Sequence, residues 1–225
     1  MTVPLQTGAA TTALVYRSAG DDRRARAALI LAHGAGAGQR SAFMVDFATA
    51  LSDMGVDVVT FNFPYTEQRR KIPDRAPVLE SCYRDVITAT RAELESGRRA
   101  LFVGGKSMGG RIATQVAAAD GTLPITGLVL LGYPLHPPGK VTERRDKHLP
   151  SVGRPMLFVQ GARDAFGTPE ELSAILPALQ PKATLHAVPQ GDHSFKIPRR
   201  DPGAQAAIYV AIQRTIVAWV REQAP

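Results

Sequence analysis

The chain has 225 residues, 44% hydrophobic and 21% charged, a globular balance that excludes collagen-like, coiled-coil and wholly disordered readings. Its one cysteine, Cys82, excludes an intramolecular disulfide framework and a Cys-rich zinc site, and no apolar run reaches the roughly 18 residues of a spanning helix. Lys and Arg total 27 against 20 acids, a net charge of +7 carried mostly by arginine, so an anionic partner stays open until the distribution of those arginines decides it. The opening segment, MTVPLQTGAATTAL, lacks a basic stretch followed by an apolar one. It does not read as a secretory signal, and a cytoplasmic protein is expected.

Two periodicities alternate along the chain. Residues 11–16 suit an edge strand, and residues 28–32 (ALILA) a buried one. A helix is predicted over 41–54, opened by a Ser41 cap, with Phe43, Phe47, Ala50 and Leu51 on one face. A strand at 56–63 is followed by an irregular basic stretch, 64–77, and by a helix over 78–96 that ends at Gly97. Cys82 sits in that helix beside Leu79, Val86 and Ile87, as a core residue. A strand at 100–104 and a small-residue helix at 109–119 come next. Strands at 128–131 and 156–159 flank an irregular segment rich in Pro, Gly and charge. Residues 168–179 open Thr-Pro-Glu-Glu, which combines a cap, a first-turn proline and two acids. After a strand at 183–188, the last helix, 202–222, carries Ile208, Ala211, Ile212, Thr215, Ile216, Trp219 and Val220 as one stripe. Most strand runs are continuously apolar, as in strands buried on both faces. The expectation is a single α/β domain over 1–225, a three-layer sandwich with a mostly parallel sheet between helices and no large lid.

The central motif is Gly105-Lys106-Ser107-Met108-Gly109, a G-x-S-x-G between a strand and a helix. The sharp turn exposes the Ser Oγ, and it tolerates only vanishing side chains at Gly105 and Gly109. The Gly105-Lys106-Ser107 triplet also resembles the end of a Walker A loop, but Ala100 stands where that loop needs its first glycine. A nucleophilic Ser needs an acid and a His downstream, in that order. Asp164 follows the strand at 156–159, and His193 follows the strand at 183–188. Ser107 is therefore assigned as nucleophile, His193 as general base and Asp164 as the group that orients it. Asp192 is the rival acid, too close in sequence to reach the far ring nitrogen. The loop His33-Gly34-Ala35-Gly36-Ala37-Gly38 supplies an oxyanion donor, the Ala35 N–H with Gly36 as its rival, and Met108 N–H supplies the second. A dinucleotide fingerprint fails there because position 39 is Gln. His33 is expected to brace the loop, and Lys106 to face solvent or brace the turn. Gly36, Tyr65 and Tyr133 are candidate substrate-binding residues, with core packing the alternative for Tyr65. No His, Asp and Glu cluster has metal spacing.

These segments resemble the α/β-hydrolase superfamily, and within it the small hydrolases related to dienelactone hydrolases. The nearest likeness is to the branch containing testis-expressed protein 30 and a nonspecific-lethal complex subunit. The likeness is carried by HGAGAG at 33–38, FPY at 63–65, GGKSMGGR at 104–111, LGYPLHPPGK at 131–140 and GDHSF at 191–195. The resemblance implies a sheet of about eight strands, no separate cap domain and no cofactor. One departure stands out: dienelactone hydrolases proper carry Cys where this chain has Ser107. The expected activity is hydrolysis of an ester or similar acyl bond in a small molecule through an acyl-enzyme. The alternatives are acyl transfer and a non-catalytic scaffold that retains the fold. The arginines (23, 24, 26, 69, 70, 75, 98, 99, 144, 145, 199, 200) are dispersed without interleaved aromatics, so neither nucleic acid nor a membrane is expected as partner. The group at 69–75 follows a strand on the ligand side, which predicts some preference for anionic substrates. The oligomeric state stays open.

Overall fold

The computed structural model describes residues 1–18, 27–94, 100–198 and 201–224. In chain order the elements are β1 (Thr2–Pro4), β2 (Ala10–Tyr16), β3 (Ala27–Ala32), α1 (Ala42–Asp53), β4 (Asp57–Phe61), α2 (Pro64–Glu67) and α3 (Ala76–Glu93). They continue as β5 (Ala100–Lys106), α4 (Met108–Ala119), β6 (Gly127–Leu131), β7 (Met156–Gly161), α5 (Pro169–Ser173), β8 (Thr184–Val188) and α6 (Pro202–Gln223). Arg23, Arg24, Arg26, Gly97, Arg98, Arg99, Arg199 and Arg200 lie outside the described residues.

The strands form one sheet in the order β1-β2-β4-β3-β5-β6-β7-β8. From β4 to β8 all neighbours are parallel, while β1 and β2 pair antiparallel at one edge. The continuous apolar runs are explained by layers on both faces. Along β3, Ala28, Ile30 and Ala32 enter one core with residues of α3 and α4, and Ala27, Leu29 and Leu31 enter another with α1 and α6. The chain steps from β3 to β4 on one side, then crosses to β5 on the other. The crevice at the carboxyl ends of β3 and β5 is thus the switch point where ligands of open parallel sheets bind. Register puts Ala32 beside Gly105, so the loop after β3 and the turn after β5 open side by side.

Several local expectations are corrected. β1 pairs with β2 but is three residues long and ends in Pro4, which suits only an edge. The basic stretch 64–77 holds α2, opened by Pro64. The helix expected over 168–179 stops at Ser173, and a 3-10 turn over Leu176–Ala178 follows, because Pro177 cannot continue an α-helix. Its start is a full capping box between Thr168 and Glu171. Ser41 does precede α1, but its side chain makes no capping bond. The buried stripe of α6 is rotated toward Gln213 and Val217, leaving Ala211 exposed. No helix of the described residues is long and apolar enough to cross a membrane.

Candidate active site

β5 runs into a turn at Ser107, which has φ 52° and ψ −117°, outside the usual regions for a side-chain-bearing residue. The turn is held by Ser107 N–H donating to Leu131 O at 2.9 Å and by Arg111 N–H donating to Ser107 O at 3.1 Å. Two glycines permit it. A Cβ on Gly105 would lie 2.4 Å from Ala32 O, and one on Gly109 2.5 Å from the same oxygen. The hydroxyl of buried Tyr83 donates to Gly104 O (2.7 Å) and accepts from Gly104 N–H (2.9 Å), tying α3 to the strand just behind the turn.

Ser107 Oγ stands 2.8 Å from His193 Nε2, and His193 Nδ1 stands 2.7 Å from Asp164 Oδ2. A carboxylate only accepts, so Nδ1 carries the proton and Nε2 is free to accept from the Ser hydroxyl. Asp164 is 2% exposed. Its Oδ1 accepts from Phe166 N–H (2.8 Å) and its Oδ2 from Gln160 Nε2 (2.9 Å), which compensates for its burial. Asp192 is occupied otherwise: its Oδ1 accepts from the N–H groups of Ser194 and Lys196, shaping the loop that presents His193. Ser107, Asp164 and His193 are thus brought into one hydrogen-bonded line, and the rival acid is left out of it.

The line ends in a cleft of about 540 Å³, bordered by Gly34, Ala35, Ser107, Met108 and His193 among others. As the first residue of α4, Met108 has an N–H without an intrahelical acceptor. The loop bearing Ala35 is fixed by His33. Phe63 N–H donates to His33 Nε2 (3.2 Å), so the proton sits on Nδ1, which donates to Gly34 O (2.8 Å). Burial lowers the His33 pKa and keeps the ring neutral for this bracing role.

Three residues expected to bind substrate stand elsewhere. Tyr133 is fully buried, and its hydroxyl donates to Arg145 O at 2.8 Å. Tyr65 is buried with its ring centroid 6.0 Å from that of His33. With Gly36, Tyr65 borders a separate depression that also holds Arg69, Arg70 and Lys71. Of the basic stretch, Pro73, Asp74 and Ala76 reach the main cleft, and none of its cations does. Lys106 does not face solvent. It is 8% exposed, its Nζ has no hydrogen-bond partner and lies 5.8 Å from the centre of the Phe195 ring. Burial lowers its pKa to about 8, against the opposing pull of Asp164 and Asp192. Cys82 is buried, and desolvation pushes its thiol up to about 12.

Two neighbours of the Ser107–His193–Asp164 line were not foreseen. Gln160 donates from Nε2 to Asp164 and to Gly167 O, and accepts from Tyr133 N–H, so it locks the acid's loop to the end of β6. Its signal was a lone amide closing an apolar strand, four residues before the acid. Phe166 packs against the His193 ring, 4.3 Å between centroids and tilted by 33°, and its only signal was its place two residues after Asp164. Among the described residues no group of three His, Cys, Asp or Glu is placed to hold a metal ion.

Solved structures share this fold over nearly the whole chain. An α/β serine hydrolase without lid, XC6422 from Xanthomonas campestris, is 21% identical with a TM-score of 0.74, covering 98% of this chain and 94% of that one. Est1E from Butyrivibrio proteoclasticus, solved with ferulic acid, is 14% identical with a TM-score of 0.76, covering 99% and 98%. A dienelactone hydrolase from Anabaena variabilis is 19% identical with a TM-score of 0.70, covering 95% and 94%. At these identities the likeness is one of fold. The model of the alpha/beta hydrolase domain family matches residues 25–221, spanning the 33–38 loop, the Ser107 turn and the His193 loop, and the chain belongs to that family.

Proposed function

We propose that the protein is a serine hydrolase that cleaves an ester, or a similarly activated acyl bond, of a small molecule. The observation that carries this reading is the unbroken line Ser107 Oγ–His193–Asp164, at 2.8 and 2.7 Å, on the floor of a cleft. In the proposed reaction His193 Nε2 takes the hydroxyl proton as Ser107 Oγ attacks the acyl carbon. The N–H groups of Ala35 and Met108 hold the resulting oxyanion. Collapse breaks the ester bond, and the leaving alcohol takes the proton from His193. Water then enters, gives a proton to His193 and attacks the acyl-enzyme. The acid departs, and Ser107 recovers its proton. Asp164 keeps the imidazole in the accepting tautomer throughout and stabilises its charged form. The cleft volume lies in the range of about 300–1,000 Å³ typical of small-molecule sites. The longest connection, residues 132–155, carries only a 3-10 turn at Leu149–Ser151, which favours compact substrates open to solvent. The likeness to the dienelactone-hydrolase branch supports the reaction type, while a Ser nucleophile points to simple esters over dienelactones.

The test is Ser107→Ala with short-chain 4-nitrophenyl esters and a fluorophosphonate probe. The wild-type chain is expected to be labelled at Ser107 and to turn over ester. The variant is expected to lose labelling and at least about 10⁴-fold in kcat. A folded variant with unchanged turnover overturns the assignment.

A further inference from the structure

The charges that border the cleft are not balanced. Arg111 and Arg145 both line it together with Ser107. Arg111 stands on the first turn of α4, and its backbone N–H holds the Ser107 carbonyl, so its place is tied to that of the nucleophile. The side chain is half-buried. Its Nε is shielded from solvent without a hydrogen-bond partner, and Nη1 reaches only Gln115 Oε1, at 3.4 Å. Arg145 is also half-buried, and its backbone is fixed on both sides: its N–H donates to Leu135 O (2.9 Å) and its carbonyl accepts from Tyr133 (2.8 Å).

Among the described residues no carboxylate pairs with either guanidinium. The acids nearby are committed elsewhere: Asp146 to Arg144 (2.7 Å), Glu143 to Lys140 (2.8 Å) and Glu80 to Arg84 (3.6 Å). Asp74, the one carboxylate among the residues lining the cleft, pairs with Arg70 through Oδ1, and its Oδ2 is buried without a hydrogen-bond partner. Burial, followed by the like charge of Arg145, lowers the Arg111 pKa, against the weaker opposing pull of Tyr133 and Glu80. Neither the solvent nor the protein satisfies Arg111 Nε. A planar guanidinium with a free edge matches the paired oxygens of a carboxylate or phosphate.

We propose that Arg111 and Arg145 form the recognition end of the cleft for an anionic oxygen group, carboxylate or phosphate, carried by the substrate whose acyl bond Ser107 attacks. This role rests on the serine-hydrolase reading. It moves the source of anion preference from the basic stretch 69–75, which borders the neighbouring depression, to two residues of the cleft itself.

The experiment compares 4-nitrophenyl glutarate, its neutral methyl-capped ester and 4-nitrophenyl 3-phosphonopropanoate, which place the charge on the acyl part. A second pair, 4-carboxyphenyl and phenyl butyrate, places it on the leaving group. An anionic member is expected to exceed its neutral match by about 10- to 100-fold in kcat/KM at low salt. The preference should shrink as salt is added. Arg111→Gln and Arg145→Gln are each expected to bring the anionic-to-neutral ratio toward one, and Arg111→Lys to keep part of it. The carboxylate and phosphonate arms tell the two anions apart. Matched rates for every pair in the wild type, or a preference that survives both substitutions, overturn the proposal. Fluorophosphonate labelling reports on Ser107 separately. If the chain is neither labelled nor active on any ester, glutarate and methylphosphonate are titrated against the melting temperature. A rise in the wild type that is lost in both variants supports the anion site without catalysis, and no rise in the wild type overturns it. Circular dichroism of each variant controls for folding.

Discussion

Lys106 is a buried cation one residue before the proposed nucleophile, and its cost to the fold has a readable pH dependence. In an unfolded chain a lysine loses its proton near about 10.4. In the folded protein burial brings this down to about 8. Between those values the unfolded chain binds more protons, so stability rises as pH rises through the window. Below it the fold carries the whole penalty, on the order of 3 kcal/mol for the shift. Lys106→Met keeps the length and removes the charge. It is expected to gain about 1–3 kcal/mol in urea unfolding at neutral pH, and to lose that advantage as pH climbs past about 10. A gain that is equal at both pH values, or a loss at neutral pH, contradicts this account. At the same scale, Ser107, Asp164 and His193 were legible as a set because the chemistry proposed for them demands a fixed chain order and an elbow with glycines around it. Gln160, Phe166 and Arg111 were not singled out. What they do depends on which side chains the fold sets opposite them, and an amide, a phenyl ring or an arginine in a one-dimensional string carries no such information. For Lys106, of the two places expected, facing solvent or bracing the turn, the first is excluded, because the fold buries the side chain near the Phe195 ring.

The elements show where composition is decisive and where tertiary contact overrides it. The turn between β5 and α4 was legible because its glycines meet backbone, and backbone cannot yield. A Cβ on Gly109 would stand 2.5 Å from Ala32 O and 2.7 Å from His33 O. Gly109→Ala must push α4 off the end of β3, and is expected to cost more than about 3 kcal/mol or to prevent folding. Gly121→Ala is the control, since nothing lies within 4 Å of its added carbon, and it should stay within about 0.5 kcal/mol of wild type. Comparable melting temperatures for the two variants would sink the claim that close backbone approach, not glycine flexibility, makes the elbow. Three other elements were less legible. α5 was drawn too long, because its expected start, a cap, a first-turn proline and two acids, says nothing of its end, which Pro177 brings forward. β1 was missed, since a three-residue strand with a proline has no period to detect. The α6 stripe was off by part of a turn: Gln213 is buried there, and a polar residue in the packed face is invisible to a hydrophobic pattern.

At the scale of the whole molecule, the +7 charge left an anionic partner open and the stretch 69–75 predicted some preference for anionic substrates, yet the cations that line the cleft are Lys106 of β5, Arg111 of α4 and Arg145 of the connection after β6. The architecture also divides the proposed catalytic groups between unequal parts of the sheet. Ser107 and Ala35 follow β5 and β3, central strands buried on both faces by two cores. His193 follows β8, an edge strand in which only Val188 is fully buried. Amides with few covering contacts exchange by local opening, and those in the middle of the sheet wait for global unfolding. Hydrogen exchange in the native protein is therefore expected to find β3 and β5 most protected, with β1 and β8 exchanging faster. The general base would then sit on the softer side of the site, so its alignment would depend on the bonds to Asp164 and Ser107. A covalent phosphonate on Ser107 would place oxygens within reach of the imidazole and of the N–H groups proposed as oxyanion donors. It should slow exchange in β8 and the His193 loop, and leave β3 and β5 unchanged. Uniform protection across all strands, or an adduct that protects only the central ones, is the result that would refute this division.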